Sequence, residues 1–216
     1  MNYPEDFINK IICGNCHDLI TYIPDKSVDI VFTDPPYNKK KDYGVYKDNL
    51  PNDIYIGNMA NIIFHSIRVA RRGVLFYVGG TLTKLFYDLL PNSHLIVVHK
   101  RAVGVMAGNY FLQYHVLFST AKPQRKTKDL WDDIRLPGEG YFFREKRYKT
   151  PGLTSLALTK KVIETFSSDG DVILDPYMGV GTTAEACVLS GRQFIGMELS
   201  QEYCDIAMNR ISNIGV

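Results

Sequence analysis

The sequence predicts an α/β protein, a mainly parallel sheet of seven strands with helices on both faces. Three observations predict it. Short apolar runs alternate with longer stretches whose apolar residues recur at helical spacing, and this rhythm holds over most of the 216 residues. No repeat, low-complexity tract or long linker interrupts it. A hydrophobic share of 45% against 22% charged residues is that of an ordinary globular chain, long enough to bury a real core as one domain over residues 1–216.

The elements follow in order. Residues 10–13 form a short strand, residues 18–22 a helical turn, and residues 28–33 (Val-Asp-Ile-Val-Phe-Thr) a buried strand. Apolar residues Ile56, Met59, Ile62, Ile63, Ile67 and Ala70 recur at helical spacing across 54–70. Gly73 opens a strand over 74–78. Thr81 is a candidate N-cap for a helix that Pro91-Asn92 ends, and strands are predicted at 95–98 and 114–118. Residues 121–150 carry the only Trp, Trp131, are rich in Lys, Arg, Asp, Pro and Gly, and show no period, so they read as either an insert with its own task or a mobile loop. A helix capped by Thr154 or Ser155 runs to Phe166. Then come a strand at 171–175, a helix at 182–189, a strand at 192–197 and a closing helix at 201–211.

Composition excludes several classes. No apolar run approaches the roughly 18 residues of a membrane-spanning helix, and Met1 to Asp6 lack a secretory pattern, so a cytoplasmic protein is expected. Cys13-Gly14-Asn15-Cys16-His17 spells a haem-attachment pattern and half of a zinc site, but Cys187 and Cys204 are isolated, so no metal is expected. Net charge is only +2, yet the cations cluster, in Lys39-Lys40-Lys41, in Lys122, Arg125, Lys126 and Lys128, and in Arg144, Lys146, Arg147 and Lys149 beside Tyr141-Phe142-Phe143. Such clusters either solvate a surface or meet phosphates. Lys39, Lys40, Lys41, Arg125, Lys126, Arg144 and Arg147 are the candidate nucleic-acid contacts.

Two constellations carry chemistry. Asp34-Pro35-Pro36-Tyr37 follows the strand ending at Thr33, where open α/β sheets bind ligands. An aromatic exocyclic amine is a poor nucleophile because its lone pair is delocalised. A carboxylate and a backbone carbonyl accepting both N–H bonds favour a pyramidal nitrogen with the lone pair aimed outward. Proline stiffens such a loop and removes competing N–H donors, and a tyrosine ring offers a surface for a base. By average composition the tetrapeptide arises by chance in about one chain of this length in a thousand.

The second is Asp175-Pro176-Tyr177-Met178-Gly179-Val180-Gly181-Thr182-Thr183, between a strand and a helix. Its glycines let backbone approach a ligand, and the helix N-terminus favours a carboxylate. Asp175 could accept from a cationic amine. Glu198, seventeen residues past Gly181, stands where an acid holds ribose hydroxyls. The glycine spacing alone would also suit NAD, but a carboxylate at Asp175 would repel a pyrophosphate and suits an amino-acid zwitterion such as the methionine end of S-adenosyl-L-methionine (SAM).

Together the motifs resemble motifs IV and I of the SAM-dependent amino-methyltransferases of DNA bases, with IV before I as in their β class. The resemblance covers nearly the whole chain. It implies a circularly permuted methyltransferase fold, SAM as cofactor, and DNA as partner with N6 of adenine as the methylated atom. It assigns Asp34, Pro35 and Tyr37 to the target amine with Pro36 shaping the loop, and Asp175, Pro176, Tyr177, Gly179, Gly181, Thr182 and Thr183 to SAM. Glu198 would take the ribose and Asp18 the adenine of SAM, while residues 150–158 would complete the pocket. The insert at 121–150 occupies the place of the target-recognition region. This chain departs from the pattern in Tyr177, Met178 and Val180, where many relatives have Phe, Ala and Ser, and in Tyr148-Lys149-Thr150-Pro151 at the lead-in to the last motif. A second copy of the chain and a cognate restriction enzyme are candidate partners by the same resemblance.

Four other readings stand beside this one. N4-cytosine methylation uses the same geometry, though Asp rather than Ser before Pro-Pro-Tyr favours adenine. RNA offers similar splayed bases. An NAD-dependent oxidoreductase gives Asp34-Pro35-Pro36-Tyr37 no task, and a non-catalytic DNA-binding module would not need both constellations intact. Of the histidines, His115 is the one nearest the insert by sequence and worth testing.

Overall fold

The computed structural model describes residues 1–99, 105–107, 110–112, 114–132 and 154–214. Strands β1 (Lys10–Cys13), β2 (Val28–Thr33), β3 (Ala70–Gly79), β4 (His94–His99), β7 (Tyr114–Ser119), β8 (Leu130–Trp131), β9 (Val172–Asp175) and β10 (Gln193–Glu198) form one sheet, while β5 (Val105–Ala107) and β6 (Tyr110–Leu112) form a separate antiparallel hairpin. The helices are α1 (Cys16–Leu19), α2 (Asn52–Val69), α3 (Thr83–Leu89), α4 (Leu156–Phe166), α5 (Thr182–Leu189) and α6 (Gln201–Ser212). None of the described helices is long and apolar enough to cross a membrane.

The main sheet runs in the order β1-β10-β9-β2-β3-β7-β4-β8. All neighbours pair parallel except β7, which is antiparallel to both β3 and β4. Alternation along the strands loads both faces. Val31, Val74, Phe76, Val78 and Leu174 pack on one side with Met59 and Ile62 of α2. Ile30, Phe32, Leu75, Tyr77 and Ile173 pack on the other with Leu158 and Val162 of α4 and Ala184 of α5. A sheet covered on both faces needs apolar strands throughout, which is why β2 and β9 read so clearly as buried runs.

The sheet has eight strands rather than seven. The additional one, β8, lies in the stretch that shows no period, and it extends the edge through Val97↔Leu130 and Val98↔Trp131. Two residues cannot display a periodicity. Trp131 is what holds them: it is 1% exposed in the core beside Ile96 and Val98. Its indole N–H donates to the Lys128 carbonyl at 2.9 Å, and Lys161 Nζ stands 4.8 Å from the ring centroid. Trp131 is therefore a core anchor, and only residues 121–132 of the predicted insert fall within the described residues. The hairpin β5–β6 is also not evident from sequence.

Smaller shifts have local causes. The first helical turn begins at Cys16 rather than 18, because Asn15 caps it by accepting from the His17 N–H at 3.0 Å. The helix expected after Thr81 starts at Thr83, following a 3₁₀ turn over Gly80–Leu82. Ser155, not Thr154, caps α4.

Because Trp131 fills the core at the sheet edge, Trp131→Ala should lower unfolding free energy by about 3–5 kcal/mol, measured by urea denaturation followed through tyrosine fluorescence. A loss below about 1 kcal/mol would contradict its role as anchor.

Candidate active site

Five parallel strands end along one edge of the sheet, at Cys13, Thr33, Gly79, Asp175 and Glu198. The loops that leave these ends surround a cavity of about 880 Å³. β2 and β9 are hydrogen-bonded neighbours, with Ile30 opposite Ile173 and Val31 opposite Leu174. The acidic proline loop and the glycine turn, 142 residues apart at Thr33 and Asp175, therefore emerge side by side. Thr33 Oγ1 donates to Asp175 Oδ1 at 2.6 Å and closes the seam between them.

In the first loop each oxygen of Asp34 accepts a hydroxyl: Oδ1 from Tyr37 at 2.5 Å, and Oδ2 from Thr154, just ahead of α4, also at 2.5 Å. Burial pushes the Asp34 carboxyl up to about 6, against the opposing pull of Thr154, Tyr37 and Lys41, while the charge of Asp175 adds to the rise. Tyr55 Oη donates to the Pro36 carbonyl at 2.8 Å. Among the described residues nothing donates to the Pro35 carbonyl, so that is the acceptor the loop keeps open. The Tyr37 phenol is held well above its ordinary value by burial and by the neighbouring Asp34 charge. Its ring lies against Gly79 on β3, edge-on to His115 at 6.2 Å, with Lys41 Nζ 5.7 Å from its centroid. Tyr77 stacks obliquely on the same His115, at 4.9 Å.

The following turn is built around a residue that sequence reasoning missed. Asp48 is 2% exposed, and its carboxylate accepts the N–H groups of Asn38 (2.8 Å), Lys39 (2.8 Å) and Lys41 (3.1 Å). Asn38 and Lys40 adopt positive φ, 54° and 59°, which turns successive N–H groups inward. This fold of the loop sets Lys39 and Lys41 on the cavity wall and leaves Lys40 exposed, its N–H bonded to the Asp48 carbonyl at 2.6 Å.

In the second constellation Asp175 accepts from Thr33 Oγ1 and the Tyr177 N–H (3.0 Å) on one oxygen and from Thr183 Oγ1 (2.6 Å) on the other. It is a brace joining β2, β9 and α5 as well as part of the cavity lining. Burial raises its carboxyl to about 6, with those three bonds opposing and Glu198 adding to the rise. Glu198 at the end of β10 accepts from Gly179 N–H at 2.9 Å and Ser200 N–H at 2.8 Å. Gly179 has φ +54° and nothing within 4 Å of where a Cβ would stand, so its backbone borders open space. Gly181 serves differently. It has φ +86°, and a Cβ there would lie 2.8 Å from Ala207 Cβ, so its smallness lets α6 pack against the turn, outside the cavity lining.

Pro176, Tyr177, Thr182 and Thr183 also line the cavity, with the Thr182 hydroxyl accepting from Arg210 at 3.0 Å. Asp18 does not line it. With α1 starting at Cys16, Asp18 faces solvent, and Gly14, Asn15, Cys16 and His17 take the wall instead. Arg125 and Lys126 are likewise not brought to the site. β7 runs antiparallel, so the chain leaving Ser119 emerges at the opposite edge of the sheet. There the Gln124 N–H meets the Thr165 carbonyl near the end of α4. Arg144, Arg147, Phe142 and residues 150–153 lie outside the described residues. Thr33, Thr154, Tyr77 and His115 are site residues to which the motifs alone do not point, though position beside the insert singles out His115.

The architecture is that of the SAM-dependent DNA methyltransferases. The chain resembles a DNA modification methylase from Thermus thermophilus in complex with S-adenosyl-L-methionine (TM-score 0.69, 20% identity, 94% of this chain and 93% of that one). It also resembles the cytosine-N4-specific PvuII DNA methyltransferase (TM-score 0.74, 12% identity, 95% and 87%). The chain belongs to the DNA methylase family, whose sequence profile matches residues 100–209. The profile of the D12 class N6 adenine-specific DNA methyltransferases matches residues 1–103. Among relatives, the orphan methyltransferase M.BamHII of Bacillus amyloliquefaciens is 42% identical over 88% of this chain and 91% of its own. The DNA adenine methyltransferase YhdJ of Escherichia coli K12 is 28% identical over 96% and 85%.

The raised Asp34 carboxyl has a stability consequence with a definite sign. Its folded value, about 6, exceeds the ordinary 3.8, so ionisation favours the unfolded chain and stability falls as pH rises from about 4 through 6. In Asp34→Asn the Thr154 hydroxyl can turn to accept. That variant should be more stable than the parent by about 1–2 kcal/mol at pH 8 and equal to it near pH 4, by urea unfolding at both pH values. Equal stability at pH 8 would count against the buried charge.

Proposed function

We propose that this protein transfers the methyl group of SAM to N6 of adenine in DNA, on a base rotated out of the duplex. The observation that carries this reading is the Thr33–Asp175 seam, which opens the acidic proline loop and the glycine turn onto one cavity. The residues present fit the cofactor. Each Glu198 oxygen accepts one backbone N–H and keeps a lone pair for a ribose hydroxyl. Gly179 leaves its side of the wall open, and the N-terminus of α5 favours a carboxylate. When bound, SAM supplies a methyl group already activated on a sulfonium.

The protein's own part is orientation and proton handling. Asp34 and the Pro35 carbonyl accept the two N–H bonds of the exocyclic amine, which localises its lone pair toward the glycine turn. Tyr37, with Tyr77 and His115 behind it, gives the flipped base an aromatic wall. SAM held by Glu198 and the glycine turn would offer its methyl group to the nitrogen so oriented, its sulfur keeping the electron pair of the broken bond. The amine proton leaves to Asp34, whose elevated carboxyl suits it to accept, or to water. No covalent enzyme intermediate is required. Desolvation pushes the buried Cys16 thiol up to about 12 and raises that of Cys187 as well, which leaves neither as a nucleophile.

Adenine over cytosine is supported by Asp before Pro-Pro-Tyr and by the adenine-specific profile over residues 1–103. Lys39 and Lys41, on the wall beside Tyr37, are the phosphate contacts, and the insert at 121–150 is the candidate target-recognition region. In this reading the protein works in the cytoplasm, where its DNA is. The type II names of several relatives support a cognate restriction enzyme as partner, and a second copy of the chain is the other partner the family likeness suggests.

Incubation with isotopically labelled SAM and unmethylated DNA, followed by nucleoside mass spectrometry, should yield N6-methyldeoxyadenosine. N4-methyldeoxycytidine instead would replace the target base, and unlabelled DNA would remove the reading. Asp34→Ala should bind SAM within about twofold of the parent yet lose at least about 10³ in methyl transfer. Replacing Lys39 and Lys41 with Ala should reduce the slope of log affinity against log salt by about one to two, read by DNA titration at several salt concentrations. An unchanged slope would remove them from the DNA surface.

A further inference from the structure

We propose that Thr154 is a positioning residue for the amine acceptor. Its hydroxyl anchors Oδ2 of Asp34 with a neutral donor and ties the acidic loop to the helix that packs on the glycine-turn helix. The inference rests on the methyl-transfer reading above and deepens it. Thr154 reaches Asp34 across 120 residues of sequence, at 2.5 Å, and lines the cavity. It can do so because Ser155 takes the capping role at α4, accepting from the Leu158 N–H, so the preceding residue is held outside the helix with its hydroxyl unused by the cap. Helix α4 packs on α5, which the glycine turn leads into. The contact therefore fixes the carboxylate relative to the methyl donor's side of the site.

Asp34 has an unusual set of neighbours. Tyr37 and Thr154 give it two neutral hydroxyls, Lys41 is the cation that acts on it, Asp175 on β9 is a like charge, and Tyr43 and Tyr77 sense its charge from the following loop and from β3. A cation in the place of Thr154 would form an ion pair and drain the carboxylate's capacity to accept. A hydroxyl holds it in place, occupies one lone pair of Oδ2 and leaves another for the amine. Each hydroxyl also stabilises the charged form against desolvation, so removing one raises the proton affinity of Asp34.

The test compares Thr154→Val, which keeps shape and loses the hydroxyl, with Thr154→Ser, which keeps the hydroxyl. Steady-state methyl transfer to DNA is measured from pH 5 to 9 and SAM affinity by calorimetry. Asp34 acts ionised, so activity falls as pH drops through its titration. In Thr154→Val kcat should fall about tenfold and the acid limb of kcat/KM should move upward by about one pH unit, with SAM affinity within about twofold. Thr154→Ser should restore both. A Thr154→Val protein with the parental kcat and acid limb, or a Thr154→Ser protein as impaired as Thr154→Val, overturns the proposal. If Thr154→Val does not fold, Thr154→Ala is read by the same criteria. Asp34→Ala run alongside separates the two claims. A parent protein that leaves DNA unmethylated removes the methyl-transfer reading, full turnover in Asp34→Ala removes Asp34 as the acceptor and the role of Thr154 with it, and an inactive Asp34→Ala beside an undisturbed Thr154→Val removes only the role of Thr154.

Discussion

The parallel pairing of β2 with β9, sealed by the Thr33–Asp175 hydrogen bond, is the constraint from which the site follows. Two strands far apart in the chain must end level with each other for their loops to share a cavity, and parallel register does that for every strand in this half of the sheet. Asp175 then serves two purposes at once. Its three internal hydrogen bonds stitch β2, the turn at Tyr177 and α5 together, while its charge remains close enough to Asp34 to raise that carboxyl. The glycine turn and the acidic proline loop are thus coupled mechanically through a side chain and electrostatically through space.

Much of this was legible in the sequence, and for a physical reason. Strands buried on both faces must be apolar, so β2 and β9 announce themselves. A loop such as Asp34-Pro35-Pro36-Tyr37 has few alternative uses, so its residues carry their chemistry with them. What escaped depends on partners that sequence separation hides. Asp48 looks like one more loop acid, and only the inward-turned N–H groups of Asn38, Lys39 and Lys41 reveal its work. Thr154 and Ser155 are interchangeable as caps on paper, and the structure separates them by giving one to α4 and the other to Asp34.

Two groups of candidate site residues stand away from the cavity. Arg125 and Lys126 follow an aromatic-rich strand and belong to a basic cluster, but the reversal of β7 delivers them to the opposite edge of the sheet. Asp18 sits two residues too far along, because Asn15 starts the helix early and turns Asn15, Cys16 and His17, not Asp18, toward the cavity. Charge and residue type are read from the sequence, but where the side chains stand is not. Direction of travel through the sheet decided place.

Burying two carboxylates side by side costs stability, and the hydrogen bonds that limit that cost come from neutral donors, with Lys41 acting on Asp34 only through space. Asp175 receives Thr33, Thr183 and a backbone N–H; Asp34 receives Tyr37 and Thr154. The choice has a chemical logic. A tight ion pair would hold either carboxylate strongly ionised but make it a poor acceptor for a weakly acidic N–H. Hydroxyl donors hold geometry while leaving the oxygen basic. For Asp175, which braces the fold, basicity is incidental. For Asp34 in the proposed role of amine acceptor it is the property required, and the same desolvation that weakens the fold at neutral pH would serve that role.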